Sequence, residues 1–223
     1  MTGDRSAAAP DSSGRPGWLT GPATRAAAWR SRPTGICRAY TTGTGRLLAM
    51  SRIGLGPEDW LILRDLRLSA LRESPDCFLS SYDRERHFGR HRWLAEFSRS
   101  DWHIALSDGQ AAGLIGVTRE PGDPASQCYL EYLWVVPQAR GTGFALSFLL
   151  GVLGQLRAAG VTTVLLWVMD GNLPAARLYK KAGFESVGQP VPLAARPGRS
   201  EQLYRLELAA PAPAPAAAMT TAR

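Results

Sequence analysis

The 223-residue chain is poor in cysteine, with only Cys37, Cys77 and Cys128, and no CxxC pair among them. An odd, widely spaced set of this kind supports neither a disulfide framework nor a zinc site, and the expected compartment is the reducing cytoplasm. No stretch approaches the roughly 18–20 apolar residues of a membrane helix. No apolar run of ~7–15 residues near the N-terminus marks a secretory signal. Histidine is as scarce as cysteine, at three residues. His87 and His91 have an i, i+4 spacing that suits a metal, but Arg84, Arg86, Arg90 and Arg92 crowd them and no third ligand is evident. That stretch reads as a solvated basic helix, and no metal is expected.

A concentrated charge on the folded region is missing too. The net charge is +7, of which +5 falls in residues 1–49, +1 in residues 50–209 and +1 on Arg223. A nucleic-acid footprint places its basic residues on a folded face, so binding to nucleic acid or to a membrane is not expected. A near-neutral domain also gives little steering of highly charged acceptors.

Residues 1–49 are rich in Ala, Gly, Pro, Ser, Thr and Arg and show no sustained apolar periodicity. Such a segment has little burial to offset its ordering entropy. It is expected to be a disordered extension, its composition shared with organellar transit peptides. The pattern is complete from Met50, which is read as the true start of translation. Residues 210–223 form an Ala/Pro-rich flexible tail.

Organised pattern fills residues 50–209. A short strand, Arg52–Leu55, leads to Pro57-Glu58-Asp59, a proline and two acids that suit a helix start. That helix runs to about Glu73, and a second spans Arg84–Phe97. Trp102–Leu106 and Ala112–Thr118 form a hairpin around Ser107-Asp108-Gly109. Ser126–Val136 is a long strand, Gly143–Ala159 a helix, Thr163–Met169 a buried strand and Asn172–Ala182 a helix capped by Asn172. Phe184–Val187 and Gln202–Leu208 close the fold. The order βααβββαβαββ predicts one α/β (α+β) domain with a mixed sheet and helices on its faces.

Chemistry concentrates between Leu133 and Ala145. A strand ends at Pro137, a glycine-rich turn follows, and an apolar helix begins. The first turn of such a helix offers free N–H groups and the positive end of the dipole to an anion. Gly141 and Gly143 allow close approach to a bulky phosphate, and Arg140 adds a cation. A P-loop is excluded because no GxxxxGK[ST] string exists. A Rossmann turn is excluded because Leu146 occupies the place of the third glycine and no acid follows at the next strand.

The stretch resembles the cofactor motif of the GNAT acetyltransferases, Val-x-Pro-x-x-Arg-Gly-x-Gly-x-(Gly/Ala), through Val135, Pro137, Arg140, Gly141, Gly143 and Ala145. Downstream, Asn172, Ala175, Ala176, Leu178, Tyr179, Gly183 and Phe184 follow the family's Asn-x-x-Ala-x-x-Leu-Tyr-x-x-x-Gly-Phe. The resemblance implies a splayed pair of parallel strands with the pantetheine arm of acetyl-CoA between them. The arm would lie on Leu133, Trp134 and Val135, and the pyrophosphate on the amides of Arg140, Gly141, Thr142, Gly143, Phe144 and Ala145. Asn172 would contact the arm, and Tyr179, two helical turns on, would face the thioester sulfur.

The activity implied is direct acetyl transfer to a primary amine, a small molecule in preference to a protein. An amine of pKa about 10 must lose a proton before it attacks. Glu131, in phase with Leu133 and Val135, is the candidate base, the Val135 N–H the candidate oxyanion donor and Tyr179 the candidate acid. A non-catalytic acyl-CoA-binding module would keep the 140–145 turn and have no need of Tyr179. The resemblance also allows a homodimer.

Overall fold

The computed structural model describes residues 35–41, 47–194 and 196–209, with side chains from residue 54 onward. Two strands, β1 (Gly35–Thr41) and β2 (Leu47–Gly54), come first. A single 3₁₀ turn at Pro57–Asp59 then feeds α1 (Trp60–Glu73). Here Asp59 Oδ2 accepts the Gly56 N–H at 3.0 Å, so the acid expected at a helix start caps the turn. Helices α2 (Tyr82–Glu85) and α3 (Arg90–Arg99) follow, then the strands β3 (Ser100–Ser107), β4 (Gln110–Thr118) and β5 (Gln127–Val135). The chain ends with α4 (Phe144–Ala158), β6 (Thr163–Met169), α5 (Leu173–Lys181), β7 (Glu185–Pro192) and β8 (Ser200–Glu207).

The eight strands form one sheet in the order β1-β2-β3-β4-β5-β6-β8-β7. Every neighbouring pair is antiparallel except β5 and β6, which run parallel. The sheet is mixed, as expected. One core, with Leu63, Leu66, Leu71, Phe97, Ile104 and Leu114, lies between α1, α3 and one sheet face. The other, with Ile115, Phe148, Leu149, Val152, Leu166 and Phe184, lies under α4 and α5 on the opposite face. No helix among the described residues is long and apolar enough to cross a membrane.

Two expectations need correction. Residues 35–41 and 47–49, placed outside the fold by their composition, pair as strands, with Ala39 opposite Ala49 and Tyr40 opposite Leu48. An edge strand is held by its backbone ladder, which needs no apolar periodicity to form. The expected helix over 84–97 is two helices, broken between Glu85 and Arg90 where Gly89 stands as an extended N-cap. Residues 1–34, 42–46 and 210–223, for which disorder and a flexible tail were expected, lie outside the described residues.

Candidate functional site

The parallel pair β5 and β6 is bridged only at Gln127↔Thr163, Cys128↔Val164 and Tyr129↔Leu165. Beyond Tyr129 the strands part, and the splay has a local cause in β5. Along β4 the step from Leu114 to Gly116 spans two residues, while its partner step from Trp134 back to Glu131 spans three. The extra residue makes a bulge with Tyr132 at φ 61°, and a bulge bends and twists its own strand. The Tyr132 ring stacks on Trp102 at 5.2 Å, with the Arg67 guanidinium 4.4 Å from its centroid. Gly116 makes room for this stack: a Cβ there would come within 3.0 Å of Tyr132 and 3.2 Å of Trp102.

The bulge also inverts the pleat. Strict alternation would put Glu131, Leu133 and Val135 on one face. Instead Cys128 and Leu130 before the bulge share the α4/α5 face with Leu133 and Val135 after it, while Tyr132 and Trp134 turn to the α1/α3 face. Glu131 is therefore opposite Leu133 and Val135, and its Oε2 accepts the Thr118 hydroxyl at 3.0 Å. The Trp134 ring is turned away with Tyr132, and its Nε1 donates to Glu73 at 3.1 Å. Only its backbone is left for a ligand in the splay.

Between β5 and α4, Gly141 (φ 72°) and Gly143 (φ 84°) adopt left-handed backbone with open space where a Cβ would project. The α4 N-terminus has no side-chain cap, and the helix's first backbone bond runs from the Ser147 N–H to the Gly143 carbonyl. The Phe144 N–H turns back to Thr142 Oγ1 at 3.4 Å, and the other amides ahead of Ser147 find no acceptor within the helix, the condition for anion binding. Thr142 Oγ1 donates to the Ala139 carbonyl at 2.7 Å, which holds the turn. The Phe144 ring is buried in the core, and its amide closes the turn on Thr142 Oγ1. Ala145 packs beside that core, partly buried.

Arg140 departs from its expected role. Its Nε donates to the Val135 carbonyl at 3.0 Å and its Nη1 to Glu73 Oε1 at 2.9 Å, while Nη2 donates to Glu73 Oε2. This contact with Arg140, aided by hydrogen bonds from Ser74 and Trp134, holds the Glu73 carboxyl at about 2. The guanidinium charge is matched by Glu73 in this structure. An acyl-CoA fits this construction: amides for its phosphates and an unpaired β5 edge for its amide-containing arm.

A cleft of about 390 Å³ opens where β5 and β6 part. Glu131, Leu133, Asn172, Ala175 and Tyr179 all line it. Asn172 caps α5 by accepting the Ala175 N–H at 3.2 Å, as its position in sequence implied. Tyr179 is 8% exposed, its ring edge-on to Phe184 at 5.6 Å. Burial raises its pKa, so the hydroxyl stays protonated at neutral pH. The arrangement sets a proton donor and a carboxylate around one cleft with an anion-binding helix start beside it.

Arg67, Glu85 and Glu201, all in the cleft wall, were missed. Arg67 and Glu85 form a buried ion pair, with Nε–Oε2 3.1 Å and Nη2–Oε1 2.8 Å. The signal was an arginine within the apolar stripe Leu63, Leu66, Ala70, Leu71 of α1. Glu201 also lines the cleft, and its neighbouring sequence carries no comparable mark; Trp93, a residue read as core or cleft wall, lines it too.

The sequence profile of the acetyltransferase (GNAT) family matches residues 60–184. The chain belongs to this family. A mycothiol acetyltransferase from Brachybacterium faecium is 31% identical over 178 residues, 70% of this chain and 54% of that protein. The chain thus spans about half the length of this curated relative. Among solved structures, a GNAT-family acetyltransferase from Streptococcus pneumoniae superposes with TM-score 0.59 at 17% identity, covering 72% of this chain and 99% of that one. The Vibrio cholerae spermidine N-acetyltransferase, in complex with CoA and spermine, gives TM-score 0.58 at 14% identity over 71% of this chain and 95% of that one. At these identities the structural matches establish the GNAT fold. Among the described residues no group of three or more His, Cys, Asp or Glu is placed to hold a metal ion.

Proposed function

We propose that this GNAT chain transfers an acetyl group from acetyl-CoA to the primary amine of a small molecule, by direct attack. The observation that carries the reading is Tyr179: a buried, protonated hydroxyl that lines the gap between two splayed parallel strands, beside Asn172. Acetyl-CoA supplies an activated thioester carbonyl. The Arg140 N–H is spent on the Pro137 carbonyl, so the amides of Gly141, Thr142, Gly143 and Ala145 hold its phosphates, and the β5 edge at Leu133 and Val135 orients its arm.

The chain's own groups handle the protons. Glu131 lines the same cleft and accepts the amine proton, with Thr118 holding its carboxylate in place. Tyr179 donates to the departing sulfur, which leaves CoA as the thiol. The cleft volume of about 390 Å³ supports a small acceptor, since small-molecule sites run at ~300–1,000 Å³.

The test is calorimetric binding of acetyl-CoA to the full chain, paired with thiol release in the presence of amines. Tyr179→Phe should bind acetyl-CoA normally and lose about 10²-fold or more in turnover. Unchanged turnover removes Tyr179 from the acid role. Binding without turnover on any amine replaces the enzyme with an acyl-CoA-binding module, and no binding at all overturns both.

A further inference from the structure

The cleft is not uniform in charge. Arg67, Arg84, Arg92 and Arg99 line it from the helical side, together with Glu85 and Glu96. Glu85 is engaged by Arg67, and Glu96 by both Arg92 and Arg99. The helical wall therefore retains positive charge. The strand side contributes two carboxylates, Glu131 on β5 and Glu201 on β8. Glu131 is held by the Thr118 hydroxyl. The Glu201 side chain has no hydrogen-bond or ion-pair partner among the described residues, and burial raises its pKa.

The helical wall also carries two buried N–H donors with nothing to bind. Arg67 is 5% exposed and Trp93 2% exposed. Arg67 Nη1 and Trp93 Nε1 both lack a hydrogen-bond partner. An unmade hydrogen bond at a buried donor costs ~1–3 kcal/mol, and folded proteins rarely leave one. Both donors belong to residues that line the cleft on its cationic side, and the complement of such a wall is a ligand with acceptor oxygens and negative charge.

We infer that the acceptor is a zwitterion, an amine that also bears a carboxylate. Its carboxylate takes the Arg67 Nη1 and Trp93 Nε1 hydrogens on the helical wall, and its ammonium group approaches Glu131 and Glu201 on the strand side. This rests on the acetyltransferase reading above and narrows its substrate class. Phe78, Leu79, Phe88 and Trp167, also on the cleft wall, favour an apolar group between the two charges.

The probe set is phenylalanine, phenylalaninamide and phenethylamine, which share the amine and the ring and differ in the carboxylate. Each is titrated by calorimetry into the full chain saturated with CoA, and each is offered with acetyl-CoA for thiol release. The carboxylate compound should bind about tenfold or more tightly than the other two, and Trp93→Phe, which removes one N–H and keeps a ring, should bring that ratio close to one. Equal or better binding of the amide, or a ratio unmoved by Trp93→Phe in a variant with the parent's melting temperature, overturns the inference. The two readings fail separately. Transfer to amines without carboxylate preference sinks the zwitterion and leaves the acetyltransferase. Carboxylate-selective binding without transfer supports the zwitterion site and sinks the transferase.

Discussion

The two sides of the cleft are built from different materials. The cofactor side is made of backbone: the left-handed turns at Gly141 and Gly143, the uncapped start of α4 and the β5 edge freed by the bulge at Tyr132. The acceptor side is made of side chains from distant segments, with Arg67 on α1, Glu85 on α2, Trp93 on α3 and Glu201 on β8. A backbone site demands particular residues at particular spacings, because only some residues permit the conformation. A side-chain site can be assembled from almost any element that reaches it. The first kind is constrained and general, and the second is free to set specificity.

The largest effect expected from breaking this contrast is on the acceptor side. Arg67→Ala would leave Glu85, only 7% exposed, without its cation. It would also remove the guanidinium 4.8 Å from the Phe78 ring and 4.4 Å from the Tyr132 ring. Removing one partner of a buried pair costs ~3–5 kcal/mol, so urea denaturation should show a loss of that order. A paired Arg67→Met, Glu85→Leu variant should recover much of it. A loss under ~1 kcal/mol in the single variant would mean the pair is solvated like a surface salt bridge.

Next comes the bulge that joins the two sides. Gly116→Val puts side-chain atoms where Tyr132 and Trp102 already stack, since even a Cβ would lie 3.0 Å and 3.2 Å from them. Overpacking of this kind costs ~1–3 kcal/mol, and acetyl-CoA affinity should fall with it because the splay depends on the bulge. Stability lost without affinity would uncouple the two.

On the cofactor side the cleanest change is Gly143→Ala. No heavy atom lies within 4 Å of the added Cβ, so the substitution tests backbone conformation alone. A non-glycine residue at φ 84° costs ~1–2 kcal/mol. The turn will relax away from that φ, and calorimetry should show weaker acetyl-CoA binding. Unaltered affinity would remove these amides from the phosphate site.

The same contrast explains what could be read from the sequence. Pro137, Gly141, Gly143, Asn172 and Tyr179 could be singled out in the sequence because each holds a backbone geometry or a fixed helical spacing. The strands β5 and β6 and their parting were expected from the family resemblance. The bulge was not, because Tyr132 is an ordinary strand residue whose positive φ leaves no local mark, and one inserted residue put Glu131 on the face opposite Leu133 and Val135. Glu73 was missed as the partner of Arg140 because the two are separated by 67 positions, a contact that no local pattern encodes. β1 was missed because a ladder can hold a segment with no amphipathic pattern.

Glu73 also ties the two sides together, from the end of α1 to Arg140 of the glycine turn and Trp134 of β5. Its carboxyl is lowered from 4.5 to about 2, chiefly by the Arg140 contact. A lowered carboxyl stabilises the fold above its unfolded pKa, and that contribution drains away as pH falls from 4.5 towards 2. The side chains of Glu73 and Arg140 are 34% and 44% exposed, so solvent screening keeps the contribution below ~1 kcal/mol. Glu73→Gln should therefore be slightly less stable than the parent at neutral pH, with the two curves converging through that acid window. A gap that persists at the acid end would assign the effect to packing against Trp134 instead of charge. A gap absent at neutral pH would mean that the Glu73 contact adds nothing to stability and that the turn is held by the Arg140 bond to the Val135 carbonyl of β5.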